Sequence, residues 1–123
     1  GMEAVVDATI ERWITTEGRN RLPGQVELIR QMILNTPVQG FVACSEAIKA
    51  MDMRITNPKI SAPTLVICGE QDTGTTPQQA KEIADAIPNA KLELISDAAH
   101  LANIEQHEVF NRLLSHFLAN LDG

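Results

Sequence analysis

The second half of the chain alternates between strand and helix patterns, and this alternation constrains the fold more than any other feature. Residues 64–68 ("TLVIC") form an apolar run rich in β-branched side chains, which is typical of a strand buried on both faces of a parallel sheet. Residues 91–95 ("KLELI") alternate as an outer strand does. Between them, Thr76 and Pro77 mark the N-cap and first residue of a helix. Because a crossover helix joins strands that run the same way, we predict a parallel pair.

Helical spacing of apolar side chains predicts three amphipathic helices in the first half of the chain and one long helix at its end. The residues that mark these stripes are Met2, Val5, Val6, Thr9, Ile10 and Trp13; Val26, Ile29 and Ile33; Phe41, Cys44, Ser45 and Ile48; and Phe110, Leu113, Leu114, Phe117, Leu118 and Leu121. Residues 15–24 break the helical pattern, and residues 55–63 contain two prolines and no period. We therefore expect a helical region over residues 1–54 and a β-α-β-α unit over residues 63–121.

Composition argues against several classes of function. The 123 residues carry a net charge of −6 without a Lys/Arg cluster, so the phosphate-neutralising surface of a nucleic-acid binder is not expected. No apolar stretch approaches the ~20 residues that a membrane span needs, and the first residues do not resemble a signal peptide. Neither a metal-binding spacing nor a phosphate loop is present. These patterns predict a cytoplasmic protein with no nucleic-acid or membrane partner, no metal and no cofactor.

The two cysteines, Cys44 and Cys68, are far apart and belong to no CxxC motif. Both lie in apolar stretches, so we expect two buried thiols rather than a disulfide. Neither sits on a sharp turn of the kind that exposes a nucleophile, and we expect both thiols to be inert.

A carboxylate and an imidazole follow the two predicted strands. Asp72 lies four residues beyond the first strand, and His100 lies five residues beyond the second. Neighbouring parallel strands stand about 4.8 Å apart, and open α/β sheets bind their ligands at the carboxyl edge. An Asp that accepts a hydrogen bond from one ring nitrogen of a His leaves the other free to act as a base. The joint placement points to a catalytic Asp72–His100 pair, although each residue alone is also typical of an ordinary loop.

The triplet Asp72-Thr73-Gly74 allows a second interpretation, because Asp-Thr-Gly is also the active-site triplet of aspartic proteases. Those enzymes are all-β proteins in which two Asp side chains share a proton. Here a helix follows the triplet, and more than half of the chain has helical spacing. The surrounding pattern therefore favours the Asp–His interpretation.

The segments "SAPTLVICGEQDTGTTP" and "AIPNAKLELISDAAHLANIEQHEVFNRLLSHFL" resemble the C-terminal part of the α/β-hydrolase fold. They show an apolar strand, Gly-x-x-Asp, a helix that begins at Pro, a second strand, and an Ala-His loop before the last helix. In addition, "GMEAVVDATIERWITTEGR", "TPVQGFVACSEAIKAMDMR" and "AAHLANIEQ" are similar to 3-oxoadipate enol-lactonases. The resemblance covers essentially the whole chain and implies hydrolysis of an enol-lactone or carboxylic ester in aromatic-acid catabolism.

By this resemblance, Asp72 is the acid and His100 the base of a nucleophile–His–acid triad. The resemblance also implies that the helical first half is the cap over the active site. Trp13 lies on the apolar stripe of the first helix. It is expected either in the core or, within a cap, facing a substrate pocket.

The chain departs from the α/β-hydrolase pattern in one decisive respect. None of Ser45, Ser61, Ser96 and Ser115 lies in the Gly-x-Ser-x-Gly elbow that carries the nucleophile, and the oxyanion-hole loop is absent too. We therefore expect a truncated hydrolase that is inactive alone. Open sheet edges and uncovered apolar faces seek partners, so a homodimer or a complementing N-terminal half is expected. The alternative is a non-catalytic remnant that acts as an oligomeric or binding module.

Overall fold

The computed structural model describes residues 1–121, and four helices form its first part. They are α1 (Glu3–Trp13), α2 (Thr16–Arg21), α3 (Pro23–Leu34) and α4 (Val38–Ala50). A single 3-10 turn, Asn57–Lys59, follows within the predicted connector. The predicted division into regions 1–54 and 63–121 stays a prediction.

The second part alternates strands and helices. It contains β1 (Leu65–Gly69), α5 (Pro77–Ala86), β2 (Lys91–Ile95), α6 (Ala102–Glu105) and α7 (His107–Ala119). The strands pair in parallel, from Leu65 opposite Lys91 to Gly69 opposite Ile95. The predicted α/β fold with a parallel β-α-β-α unit is therefore confirmed. The structure also contains two short helices, α2 and α6, that the sequence pattern did not predict.

Hydrogen bonds from capping side chains explain where α5 and α2 begin. The Thr76 hydroxyl accepts from the Gln79 amide while the Gln79 side chain accepts from Thr76 N–H, which forms a capping box ahead of Pro77. In α2, the Thr15 hydroxyl accepts a 2.9 Å hydrogen bond from Gly18 N–H. With six and four residues, α2 and α6 are too short to show an apolar period, which is why the sequence pattern missed them.

The core consists of two clusters of buried side chains. The helical cluster unites the stripes of α1 and α3, and its members are Met2, Val6, Ile10, Ile14, Ile29 and Ile33. The second lies where β2 meets its following loop, and its members are Ile95, Ala98 and Ala102. The predicted stripes of the first two helices thus face each other. No helix among residues 1–121 combines the length and the hydropathy that crossing a bilayer requires.

Several predicted core positions are exposed instead. Every residue of α4 is exposed, including Cys44, so the expectation of a buried Cys44 thiol is wrong. No residue of α7 is fully buried. Leu65, Val66 and Ile67 of β1 are only half-buried, because within the described chain β1 pairs with β2 alone.

The turn after β1 packs tightly against the turn after β2. Glu70 N–H donates to the Ile95 carbonyl and Gln71 N–H to the Ala98 carbonyl, both at 2.9 Å. A Cβ atom on Gly69 would lie 2.2 Å from the carbonyl oxygen of Ala99. These contacts draw the two loops together at the carboxyl edge of the sheet, and they require glycine at position 69.

We expect Gly69→Ala to lower the free energy of unfolding by about 1–3 kcal/mol, because the added methyl meets rigid backbone oxygens. Gly24→Ala is the matched control, since no atom lies within 4 Å of its Cβ position. That control should change stability by less than about 1 kcal/mol, in the stabilising direction. Urea unfolding followed by circular dichroism measures both changes, and equal midpoints for Gly69→Ala and the parent chain would contradict the expectation.

Candidate active site

Asp72 and His100 meet at the carboxyl edge of the sheet. Asp72 follows β1 and His100 follows β2, and the parallel pairing brings the two loops side by side. The Nδ1 atom of His100 lies 2.8 Å from Oδ2 of Asp72. The Asp72 side chain is 4% exposed and the His100 side chain is 38% exposed. A buried carboxylate therefore holds an imidazole that is partly open to solvent.

The Asp72 carboxylate is well supplied with hydrogen-bond donors. Its Oδ1 accepts from Gly74 N–H at 2.9 Å and from Thr75 N–H at 3.0 Å. Burial alone would raise the pKa of this carboxyl, but the hydrogen bonds from Thr75, His100 and Gly74 outweigh it and lower the pKa below its ordinary value of 3.8. Asp72 is therefore ionised at neutral pH.

Thr75 is a site residue that the sequence analysis missed. Its hydroxyl lies 2.9 Å from Oδ2 of Asp72 and 3.1 Å from Nδ1 of His100. An ionised carboxylate can only accept, so the hydroxyl donates to Asp72 and the Nδ1–H of His100 is shared between the two oxygens. This arrangement selects the tautomer in which Nε2 of His100 carries the free lone pair.

Trp13 lies against His100. The two ring centroids are 5.8 Å apart and the ring planes are inclined by 32°. The main-chain carbonyl of Trp13 also accepts a 3.0 Å hydrogen bond from Leu101 N–H. The end of α1 therefore contacts both the ring and the backbone neighbour of His100. The substrate-binding role of Trp13 stays a prediction.

Two cavities flank this contact. One, of about 350 Å³, is lined by Asp72, Thr75 and His100 together with apolar side chains of β1 and α5. The other, of about 300 Å³, lies among α1, α3 and α4 and includes Arg12 and Trp13 in an otherwise mostly apolar wall. Both volumes are within the range of small-molecule sites.

Cys68 faces the site but lacks the properties of a nucleophile. Its thiol is buried and contacts the carbonyls of Gly69 and Thr75 at 3.4 and 3.5 Å. Burial raises the pKa of the Cys68 thiol, and the negative charge of Asp72 raises it further. The thiol form therefore dominates at neutral pH, in agreement with the expectation of an inert cysteine.

The geometry of this loop does not support the aspartic-protease interpretation. Asp72 is paired with an imidazole rather than a second Asp, and a helix follows it, unlike in an aspartic protease. No group of three His, Cys, Asp or Glu side chains among residues 1–121 is placed to hold a metal ion.

Glu105 is the second residue that the sequence analysis missed. Its side chain is almost fully buried, with the residue 1% exposed. Oε1 accepts from Thr15 N–H at 3.0 Å and from the Thr15 hydroxyl at 2.6 Å, and Oε2 accepts from Ala99 N–H at 2.7 Å. Glu105 thus joins the α1–α2 junction to the residue before His100. The sequence signal was present, since a charged residue among Leu101, Ala102 and Ile104 must be paired if it is buried.

Comparison with known proteins gives consistent matches. The family model described as alpha/beta hydrolase fold matches residues 7–106. 3-Oxoadipate enol-lactonase 2 of Acinetobacter baylyi is 31% identical over 111 residues, which are 90% of this chain and 41% of that protein. 3-Oxoadipate enol-lactonase 1 of the same organism is 31% identical over 121 residues, which are 98% of this chain and 45% of that protein.

Solved structures agree with the sequence matches. The enol-lactonase of Burkholderia xenovorans superposes with a TM-score of 0.94 at 38% identity, and the match covers 98% of this chain and 46% of that one. A thermophilic esterase of Thermogutta terrifontis superposes with a TM-score of 0.86 at 30% identity, over 94% and 43% of the two chains. The chain therefore spans less than half the length of these relatives.

The depressed pKa of Asp72 leads to a specific dependence of stability on pH. A carboxyl whose pKa is lower in the folded than in the unfolded chain stabilises the fold above its unfolded pKa of about 3.8, and this contribution is lost as the pH falls through the folded pKa. We expect the parent chain to lose stability more steeply than Asp72→Asn as the pH falls below about 5. Urea unfolding at a series of pH values measures both slopes, and identical slopes would show that Asp72 contributes nothing.

Proposed function

Because the chain belongs to the α/β-hydrolase fold family, we propose that it supplies the acid and the base of a site that hydrolyses a carboxylic ester or enol-lactone. The 2.8 Å contact between Asp72 and His100 at the carboxyl edge of the sheet carries this proposal. The likeness to enol-lactonases in sequence and structure supports the choice of ester or lactone bond.

In the proposed reaction, Nε2 of His100 accepts the proton of a nucleophile's hydroxyl group while its oxygen attacks the carbonyl carbon. The imidazolium that forms is stabilised by the Asp72 carboxylate, which keeps Nδ1–H directed toward it. His100 then gives the proton to the leaving oxygen as the C–O bond breaks. Water, deprotonated by His100, then attacks the carbonyl carbon of the acyl intermediate. The bond between the acyl group and the nucleophile's oxygen breaks, and His100 returns the proton to that oxygen.

The proposal requires the nucleophile and oxyanion hole to come from residues beyond these 123. None of the four serines lies in a Gly-x-Ser-x-Gly elbow, and the Ser45 hydroxyl donates to the Phe41 carbonyl at 2.8 Å within α4. We infer that an N-terminal half of the hydrolase fold, on the same or on a separate polypeptide, completes the site. This N-terminal half would cover apolar side chains that are exposed in the present chain. They include Val38, Phe41, Val42, Ile48, Leu94, Leu114 and Leu118.

The cavity beside Trp13 suggests the kind of substrate. Arg12 lines this cavity, and its side-chain stem lies 3.3 Å from the Cβ position of Gly74 in the Asp72 loop. A guanidinium beside an apolar pocket suits a carboxylate-bearing substrate, because arginine binds carboxylates through two parallel hydrogen bonds. We therefore propose an ester or lactone that carries a separate carboxylate group.

Complementation tests the proposed reaction. We expect ester and enol-lactone hydrolysis when the chain is combined with an N-terminal half that contains the Gly-x-Ser-x-Gly elbow, and none from either part alone. His100→Ala should lower kcat/KM of the complemented enzyme at least about 1000-fold. His116→Ala, which alters an exposed imidazole of α7, should leave it unchanged.

Size-exclusion chromatography with light scattering should show a one-to-one complex of the two parts. If the chain forms a stable homodimer and gains no hydrolytic activity with any N-terminal half, the catalytic proposal is contradicted. That outcome would favour the non-catalytic binding or oligomeric module instead.

The substrate class has its own test in the complemented enzyme. We expect Arg12→Met to raise KM for a carboxylate-bearing lactone by about 10- to 100-fold, the value of a lost charge-assisted hydrogen bond. KM for a neutral ester should change little. Arg54→Met is the control, because Arg54 is exposed, is paired with Asp52 and lines a different cavity, beside α5. Equal effects of Arg12→Met on charged and neutral substrates would contradict the carboxylate proposal.

A further inference from the structure

Glu105 is a buried carboxylate that the proposed reaction does not use. Three donors point at its two oxygens: the amide and hydroxyl of Thr15 and the amide of Ala99. The Arg21 guanidinium donates to its main-chain carbonyl at 2.8 Å. Burying a carboxylate costs considerable free energy unless it is fully hydrogen-bonded. This site meets that condition, so the carboxylate has one well-defined position.

The surroundings of Glu105 leave its side chain little freedom. A Cβ atom on Gly18 would lie 2.1 Å from Oε1 of Glu105, and 3.0 Å from a side-chain carbon of Ile14. Because Gly18 has no side chain, the backbone of α2 can approach Glu105 this closely. The contact joins α2 to α6, which are far apart in the sequence.

Hydrogen bonds fix the backbone on both sides of His100. Before it, Ala99 N–H donates to the Glu105 carboxylate at 2.7 Å. After it, Leu101 N–H donates to the Trp13 carbonyl at 3.0 Å. Both tethers lead to the end of α1, since Glu105 holds Thr15 and Trp13 is the last residue of that helix. These hydrogen bonds fix the backbone position of His100 relative to the end of α1, which lines the cavity beside Trp13.

We propose that Glu105 is a positioning residue, which holds the His100 backbone in register with α1 and α2 through Ala99. This inference rests on the proposed role of His100 as the base. A carboxylate is needed for this task because all three partners are donors, and the NH2 group of glutamine cannot accept a hydrogen bond. Loss of the tether lets the loop after β2 move, which weakens the contact between Nδ1–H of His100 and Asp72.

Nuclear magnetic resonance of the 123-residue chain tests this role without any activity. In Glu105→Gln we expect the Nδ1 proton of His100 to exchange with water about ten times faster than in the parent chain. Its nitrogen shifts should indicate a mixture of tautomers. His107 and His116, which lie in α7, provide internal references in the same spectra and should not change.

A variant that is destabilised elsewhere in the fold separates a positioning role from a general loss of stability. Ile87→Val removes a methyl group from a buried residue at the end of α5 and should destabilise the chain without altering the His100 signals. A Glu105→Gln chain that loses stability but keeps the parent His100 spectrum would overturn the proposal and leave Glu105 a purely structural residue.

The pair Thr15→Val and Thr15→Ser decides the question if Glu105→Gln does not fold. Valine removes the 2.6 Å hydrogen bond from the hydroxyl to Glu105 and also the cap that the hydroxyl makes with Gly18 N–H, whereas serine keeps both. We expect faster Nδ1 exchange in Thr15→Val and the parent rate in Thr15→Ser. Identical rates in the two variants would reject the proposal. In the complemented enzyme, Glu105→Gln should lower kcat about ten-fold and leave KM unchanged, and a failure of complementation alone would not affect the spectroscopic result.

Discussion

The parallel pairing of β1 and β2 is the constraint on which the site depends. Two strands that run the same way deliver their following loops to one edge, and Gly69 allows those loops to approach within hydrogen-bonding distance. Asp72 and His100 come from sequence positions 28 residues apart and meet because of this pairing. An antiparallel pair would have placed them at opposite ends of the sheet.

A second set of contacts ties the helical part of the chain to this edge. The end of α1 contacts the His100 ring through Trp13, while Thr15 at the start of α2 binds the buried carboxylate of Glu105. Hydrogen bonds thus join the end of α1, which lines the second cavity, to the loop that carries the imidazole at the first.

Much of this arrangement could be predicted from sequence because it rests on local signals. Alternating strand and helix patterns predicted the parallel pair, and the N-cap and proline predicted where α5 begins. The roles of Thr75 and Glu105 could not be predicted in this way, because each depends on donors and acceptors that only tertiary structure brings together. Thr75 bridges two loops, and the partners of Glu105 lie 90 and 6 residues away.

Burial was harder to predict than secondary structure. The apolar spacing of α4 correctly indicated a helix, but it says nothing of whether a neighbour covers the apolar face, and Cys44 is exposed as a result. A helix of 13 residues with no buried side chain derives its stability from little more than its own backbone hydrogen bonds, which are marginal for such a length in water. Of the helices that line the cavity beside Trp13, α4 is the one without a buried residue, so its stability depends more than that of α1 or α3 on whatever covers its apolar face.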